Sequence, residues 1–238
     1  MAYKGAIFDV DGVLVDSPHE AAWREALDRL MAGPWHELAA DTGYTPASFT
    51  TAVYLEQLAG KPRMAGASAA LAFFGVPDPD GARVRAYADA KQTMIEELIA
   101  RGAFTAFEDG KRLLLRLKAA GLKLAAASSS KNANDFLVRV PVASGVTMLD
   151  LFDANVCGRD FAHGKPHPEI FLTAAAELGL APSECVVIED AVSGVQAARA
   201  GGMDCVGVAR LDDAAQLRAA GATVVVTSLD ELGDRVTR

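Results

Sequence analysis

The chain has 238 residues, of which 51% are hydrophobic and 23% charged, with a formal net charge of −8. This describes a globular chain long enough for one large core or two smaller ones, and the acidic balance without a long Lys/Arg cluster argues against nucleic acid or an anionic membrane as partner. No apolar window reaches the roughly 20 residues of a membrane span, no signal peptide opens the chain, and Cys157, Cys185 and Cys205 read as reduced core thiols, so a cytoplasmic protein is expected.

In chain order, the first apolar run predicts a strand over Tyr3–Asp9. It leads into Asp9-Val10-Asp11-Gly12, where two acids spaced by two point to one side of an extended segment. The stretch 18–102 carries no strand pattern. Helices are expected at Pro18–Met31, Ala47–Ala59, Met64–Phe74 and Ala82–Arg101, while Gly33–Pro46 reads as a loop with no assigned role. A helix at Lys111–Ala120 follows, with Leu113, Leu114 and Leu117 on one face and Gly121 beyond its end. Further strands are expected at Leu122–Ser128, Ala154–Cys157, Cys185–Glu189, Asp204–Val208 and Thr223–Thr227. Pro168 and Gly179 bracket another helix. Apolar strands that do not alternate with polar residues suit a parallel sheet buried on both faces. The expected fold class is α/β, a Rossmann-like doubly wound core (1–17 and 103–238) interrupted after its first strand by a helical domain (18–102).

Ligands of such sheets bind beyond the carboxyl ends of the strands. Those ends carry Asp9 and Asp11, then Ser128-Ser129-Ser130-Lys131-Asn132, then Lys165-Pro166 on a loop, then Glu189-Asp190. Four acids suit a hard divalent cation such as Mg²⁺. Lys165 and the Ser128 hydroxyl suit a phosphoryl group, and a carboxylate can attack phosphorus directly. Taken singly, each motif has an ordinary structural explanation: a capped turn, a helix start, a solvated lysine.

As an ordered set, Asp9-x-Asp11, Ser128, Lys165-Pro166 and Glu189-Asp190 resemble the four motifs of the haloacid dehalogenase superfamily. The resemblance implies Asp9 as nucleophile and metal ligand, with Asp11 as general acid and base whose backbone carbonyl also meets the metal. It implies Ser128 and Lys165 on the phosphoryl group, and Glu189 and Asp190 on Mg²⁺. Asp11 argues against dehalogenation, since dehalogenating members lack the second Asp. The helical insertion resembles the small cap of the β-phosphoglucomutase branch, which is expected to close and exclude water. Further likenesses to that branch are His19 with Trp23, Gly60-Lys61-Pro62-Arg63, Lys91-Gln92 and Ser130-Lys131-Asn132. They imply that His19, Arg63, Lys91, Ser130, Lys131 and Asn132 bind substrate, with Arg63 and Lys131 on a second phosphate.

The chain departs from that branch in a shorter Asp16–His19 segment, a longer stretch between His19 and Arg63, and Ser129 where Ala is common. The implied activity is a phosphomutase on a small phosphorylated sugar. The alternatives are a sugar phosphatase and a catalytically silent sugar-phosphate-binding protein. A monomer is expected. A zinc site built from Cys157, His163 and His167 is set aside, because the spacing fits no structural-zinc pattern.

Overall fold

Apolar runs become strands at all six expected places. In the computed structural model, which describes residues 3–59, 61–211, 213–233 and 236, these are β1 (Gly5–Phe8), β2 (Lys123–Ala126), β3 (Ala154–Asn155), β4 (Cys185–Glu189), β5 (Asp204–Val208) and β6 (Val224–Val226). They form one sheet in the order β6-β5-β4-β1-β2-β3, and every pairing is parallel. β1 and β4 are buried along their whole length, which is why their sequences do not alternate.

Helices intervene between the strands. Those of the unit containing the sheet are α5 (Glu108–Ala119), α6 (Ala133–Leu137), α7 (Glu169–Leu178), α8 (Val192–Ala200) and α9 (Ala214–Ala219). The helices α1 (His19–Ala32), α2 (Thr51–Gln57), α3 (Arg63–Phe73) and α4 (Ala82–Ala100) precede them in the chain. Phe171, Ala174 and Leu178 of α7 and Val195 and Ala198 of α8 pack with Ile7 and Val187 in one buried cluster. α7 ends where Gly179 takes a left-handed conformation at φ 67°.

The chain divides into two compact units. One comprises the described residues of Met1–Ser17 and Phe104–Arg238, and the other Pro18–Ala103. In the second unit, Trp23 of α1 meets Tyr87 of α4 edge-on, at 4.9 Å between ring centroids, and Tyr87 donates to the Trp23 carbonyl. No helix of the described residues is long and apolar enough to cross a membrane.

Three segments differ from expectation by more than a residue or two at an element's end. The helix read from Ala47 starts at Thr51, because Thr45 and Ser48 close a turn on each other and the Thr50 side chain accepts the Val53 amide. α5 starts at Glu108 rather than Lys111, with Glu108 and Asp109 in its first turn, where the helix dipole favours acids. Inside the loop read over Gly33–Pro46 lies a 3₁₀ turn, His36–Asp41, with Trp35 and Tyr44 buried on either side of it. Tyr44 donates its hydroxyl to Asp28 and stacks edge-on against Phe74, which explains why the segment carries aromatics.

Candidate active site

Parallel register sets the site. Phe8 is level with Ala126 on one side and Ile188 on the other, so the next residues, Asp9, Ala127 and Glu189, leave the sheet at one height. The Asp9 amide still donates to Ile188 O at 3.0 Å, and the Ala127 amide to Phe8 O at 2.8 Å. After Asp9 the chain folds back: the Gly12 amide meets Val15 O and the Leu14 and Val15 amides meet Val10 O. Gly12 has φ +79°, and a Cβ there would lie 1.9 Å from Asp190 Oδ2. The turn therefore needs glycine twice, for its backbone conformation and for the room that Asp190 takes.

Lys165 joins the acids. Its Nζ donates to Asp9 Oδ1 and to Glu189 Oε1, each at 2.6 Å. Glu189 Oε2 accepts the Ala191 amide at 2.7 Å. The Ser128 hydroxyl donates to Asp11 Oδ2 at 3.2 Å and accepts the Ser130 amide at 3.1 Å. The site thus gathers Asp9, Asp11, Glu189 and Asp190 around one ammonium. Burial, reinforced by Glu189 and Asp11 and opposed by Lys165, pushes the Asp9 carboxyl up to about 7. Burial and the neighbouring Glu189 and Asp9 push Asp190 well above the usual carboxylate range. Burial alone would lower Lys165, but Asp9 and Glu189 carry it above its ordinary value. Such a set of acids can hold a divalent cation.

The structure adds residues that no motif pointed to. Arg210, just beyond β5, donates from Nε to Gly12 O at 3.2 Å and from a terminal nitrogen to Val13 O at 3.4 Å. Asp109 grips the same guanidinium through both oxygens, at 2.8 and 2.9 Å. Asp109 also accepts the Leu229 amide at 2.8 Å and the Ser228 hydroxyl at 3.1 Å. The turn after Asp11 is thus held from outside by a part-buried ion pair. An Arg placed straight after an apolar strand was the available signal. Gly194 in α8 is the second addition: a Cβ there would lie 1.7 Å from Glu189 Oε1.

The expected substrate-binding residues fall in two places. Ser130, Lys131 and Asn132 follow β2 beside Ser128. The Ser130 hydroxyl accepts the Asn132 amide, so it shapes the loop, while Lys131 Nζ meets Gly158 O at 2.7 Å and Asp160 Oδ1 at 2.5 Å. Within the second unit, His19 Nδ1 and Lys91 Nζ are 3.2 Å apart, and Arg63 donates to Gln92 at 2.7 Å. Lys91 is buried, and its ammonium lies 5.4 Å from the centre of the Trp23 ring. Gly60 of the Gly-x-x-Arg likeness lies outside the described residues. All three cysteines are free and buried, and burial pushes the Cys157 thiol up to about 12.

Comparison with known proteins bears on the family and the fold. The sequence model of the haloacid dehalogenase-like hydrolases matches residues 3–202. A β-phosphoglucomutase of Mycobacterium bovis is 36% identical, the match covering 96% of this chain and 91% of that protein. Validoxylamine A 7′-phosphate phosphatase of Streptomyces hygroscopicus is 31% identical, over 97% of this chain and 96% of its own. Among solved structures, a β-phosphoglucomutase of the hyperthermophile Pyrococcus superposes with a TM-score of 0.72 at 30% identity, covering 96% of this chain and 94% of that one.

Proposed function

Because this chain belongs to the haloacid dehalogenase-like hydrolases, in their β-phosphoglucomutase-like branch, and is a phosphotransferase or phosphatase, we propose that it moves a phosphoryl group on a small sugar phosphate through an aspartyl phosphate, as a phosphomutase. The observation that carries this reading is the shared grip of Lys165 on Asp9 and Glu189, beside the Ser128–Asp11 hydrogen bond. The groups assigned as nucleophile, acid/base and phosphoryl binders are neighbours at the carboxyl end of the sheet.

The acids fit a hard cation. Four buried or half-buried carboxyls face one ammonium, and burial, with the neighbouring acids adding to it, raises Asp9 and Asp190. Asp9, Asp11, Glu189 and Asp190 would hold Mg²⁺, which supplies positive charge beside the phosphoryl group. Asp9 attacks phosphorus, forming the aspartyl phosphate as the bond from phosphorus to the sugar oxygen breaks. Asp11 gives that oxygen its proton. Lys165 and Ser128 hold the phosphoryl oxygens. In the mutase the donor is a sugar bisphosphate; a free hydroxyl of a sugar monophosphate, losing its proton to Asp11, then takes the phosphoryl group from Asp9 and regenerates the bisphosphate. His19, Arg63, Lys91, Ser130, Lys131 and Asn132 are assigned to substrate, with Arg63 and Lys131 on the phosphate that does not move.

One observation favours a second reading. The Lys131 ammonium, assigned to a second phosphate, is paired with the Asp160 carboxylate. A sugar phosphatase needs only one phosphate site, and there Asp11 would activate water instead.

Phosphorus NMR with Mg²⁺, β-glucose 1-phosphate and a trace of glucose 1,6-bisphosphate separates the two. Glucose 6-phosphate with little free phosphate is the expected result. Steady release of inorganic phosphate would establish the phosphatase. Asp9→Asn is expected to abolish either activity, and full turnover by that variant would overturn the assignment of the nucleophile.

A further inference from the structure

Outside the acid cluster, His163, His167 and Glu169 bring three metal-ligating atoms within 4.8 Å of one another. His163 Nδ1 lies 3.4 Å from Glu169 Oε2, and His167 Nδ1 lies 3.9 Å from the same oxygen. The two imidazole rings lie side by side, 4.4 Å between centroids and tilted by 33°. For comparison, two ligands on one tetrahedral ion with bonds of about 2.0–2.2 Å sit about 3.4 Å apart. The three groups are close to that spacing before any ion arrives.

Glu169 is already fixed. It opens α7, and its carboxylate accepts the Ala162 amide at 3.4 Å and the His163 amide at 3.0 Å. A carboxylate offers about four acceptor positions, so these bonds leave capacity for an ion. A depression lined by His167, Glu169, Leu172, Thr173, Ala176 and Glu177 opens beside the cluster, giving water access to complete the coordination. Cys157 is not a member of this group; the third ligand is a carboxylate from the next helix. Two imidazoles and a carboxylate suit a borderline transition ion such as Zn²⁺, whereas Mg²⁺ prefers oxygen throughout.

We propose that His163, His167 and Glu169 form a transition-metal site separate from the acid cluster. His163 and His167 stand two residues either side of Lys165. An ion shared with Glu169 ties both arms of the Lys165 loop to the first turn of α7.

The test is calorimetric titration of Zn²⁺ into the full chain at saturating Mg²⁺, which reserves the acid cluster for the hard cation. One Zn²⁺ per chain is expected. His163→Gln and His167→Gln are each expected to weaken it by at least the ~10–100-fold that loss of a ligand's supporting hydrogen bond costs. Asp190→Asn is expected to bind Zn²⁺ as wild type does, and the two His variants to keep their Mg²⁺-supported turnover. No Zn²⁺ binding, binding unchanged in both His variants, or binding lost in Asp190→Asn would each overturn the site. Should a His variant misfold, the imidazole NMR signals of the wild type decide. Zn²⁺-induced shifts at His163 and His167 support the proposal, and shifts confined to His19 or His36 refute it.

Discussion

Lys165 and Arg210 show how differently two cations can serve one site. Lys165 stands inside the acid cluster, between Asp9 and Glu189. Arg210 reaches only backbone carbonyls of the turn and the carboxylate of Asp109, with its guanidinium 4.1 Å from the Phe107 ring centre. Asp109 is buried and Arg210 half-buried, so removing Arg210 strands the Asp109 carboxylate without its cation. Burial would raise the Asp109 carboxyl, but the Arg210 guanidinium holds it down at about 2, with the Leu229 amide assisting. A carboxyl lowered by folding adds stability above its unfolded value near 4, and that stability is lost as pH falls from about 4 to about 2. Allowing for solvent screening, this contribution is on the order of 1–2 kcal/mol. Urea unfolding at a series of pH values should therefore show Asp109→Asn less stable than wild type at pH 7, with the gap closing toward pH 2. A gap constant with pH would refute the ionic account.

At the scale of elements, strands were legible because each is a short apolar run bounded by polar or glycine residues, as in Cys185-Val186-Val187-Ile188. Helix starts were less legible. Thr45 and Ser48 bond to each other and delay α2, a choice of partner that spacing alone does not reveal. Helix interiors hid a second kind of information. Gly194 in α8 looks like a weak helix former, yet its missing Cβ makes room for the Glu189 carboxylate, which Lys165 and the Ala191 amide hold in place. Gly194→Ala should gain up to about 1 kcal/mol of helix propensity. It should also displace Glu189 and lower kcat by about 10²-fold, the order seen when one preorganised group is lost. Thermal unfolding measured beside kcat tests this: a variant that keeps full activity would show that the Glu189 position is not critical.

For the molecule as a whole, the acid cluster is a local conflict that the rest of the fold sustains. Burial drives the rise of Asp190, and neighbouring acids add to it. Without divalent cation, Asp190→Asn should therefore raise Tm, because a neutral amide replaces a carboxyl that burial disfavours in its charged form. Adding Mg²⁺ should stabilise the wild type by mass action and the variant much less. Calorimetric scans with and without Mg²⁺ measure both effects, and a variant that responds to Mg²⁺ like wild type would remove Asp190 from the metal set.

The sequence by itself determined the architecture and the candidate residues of the acid cluster. Periodicity is a local property, and four short motifs lie whole within single strand ends or loops. Tertiary structure decided which separated residues meet. Parallel register sets Asp9 level with Glu189; the pair of Arg210 and Asp109, 101 positions apart, clasps the turn after Asp11; and Glu169, rather than Cys157, joins the two loop histidines. These outcomes depend on strand order and on which polar group finds a partner once water is excluded, and no single stretch of chain contains that information.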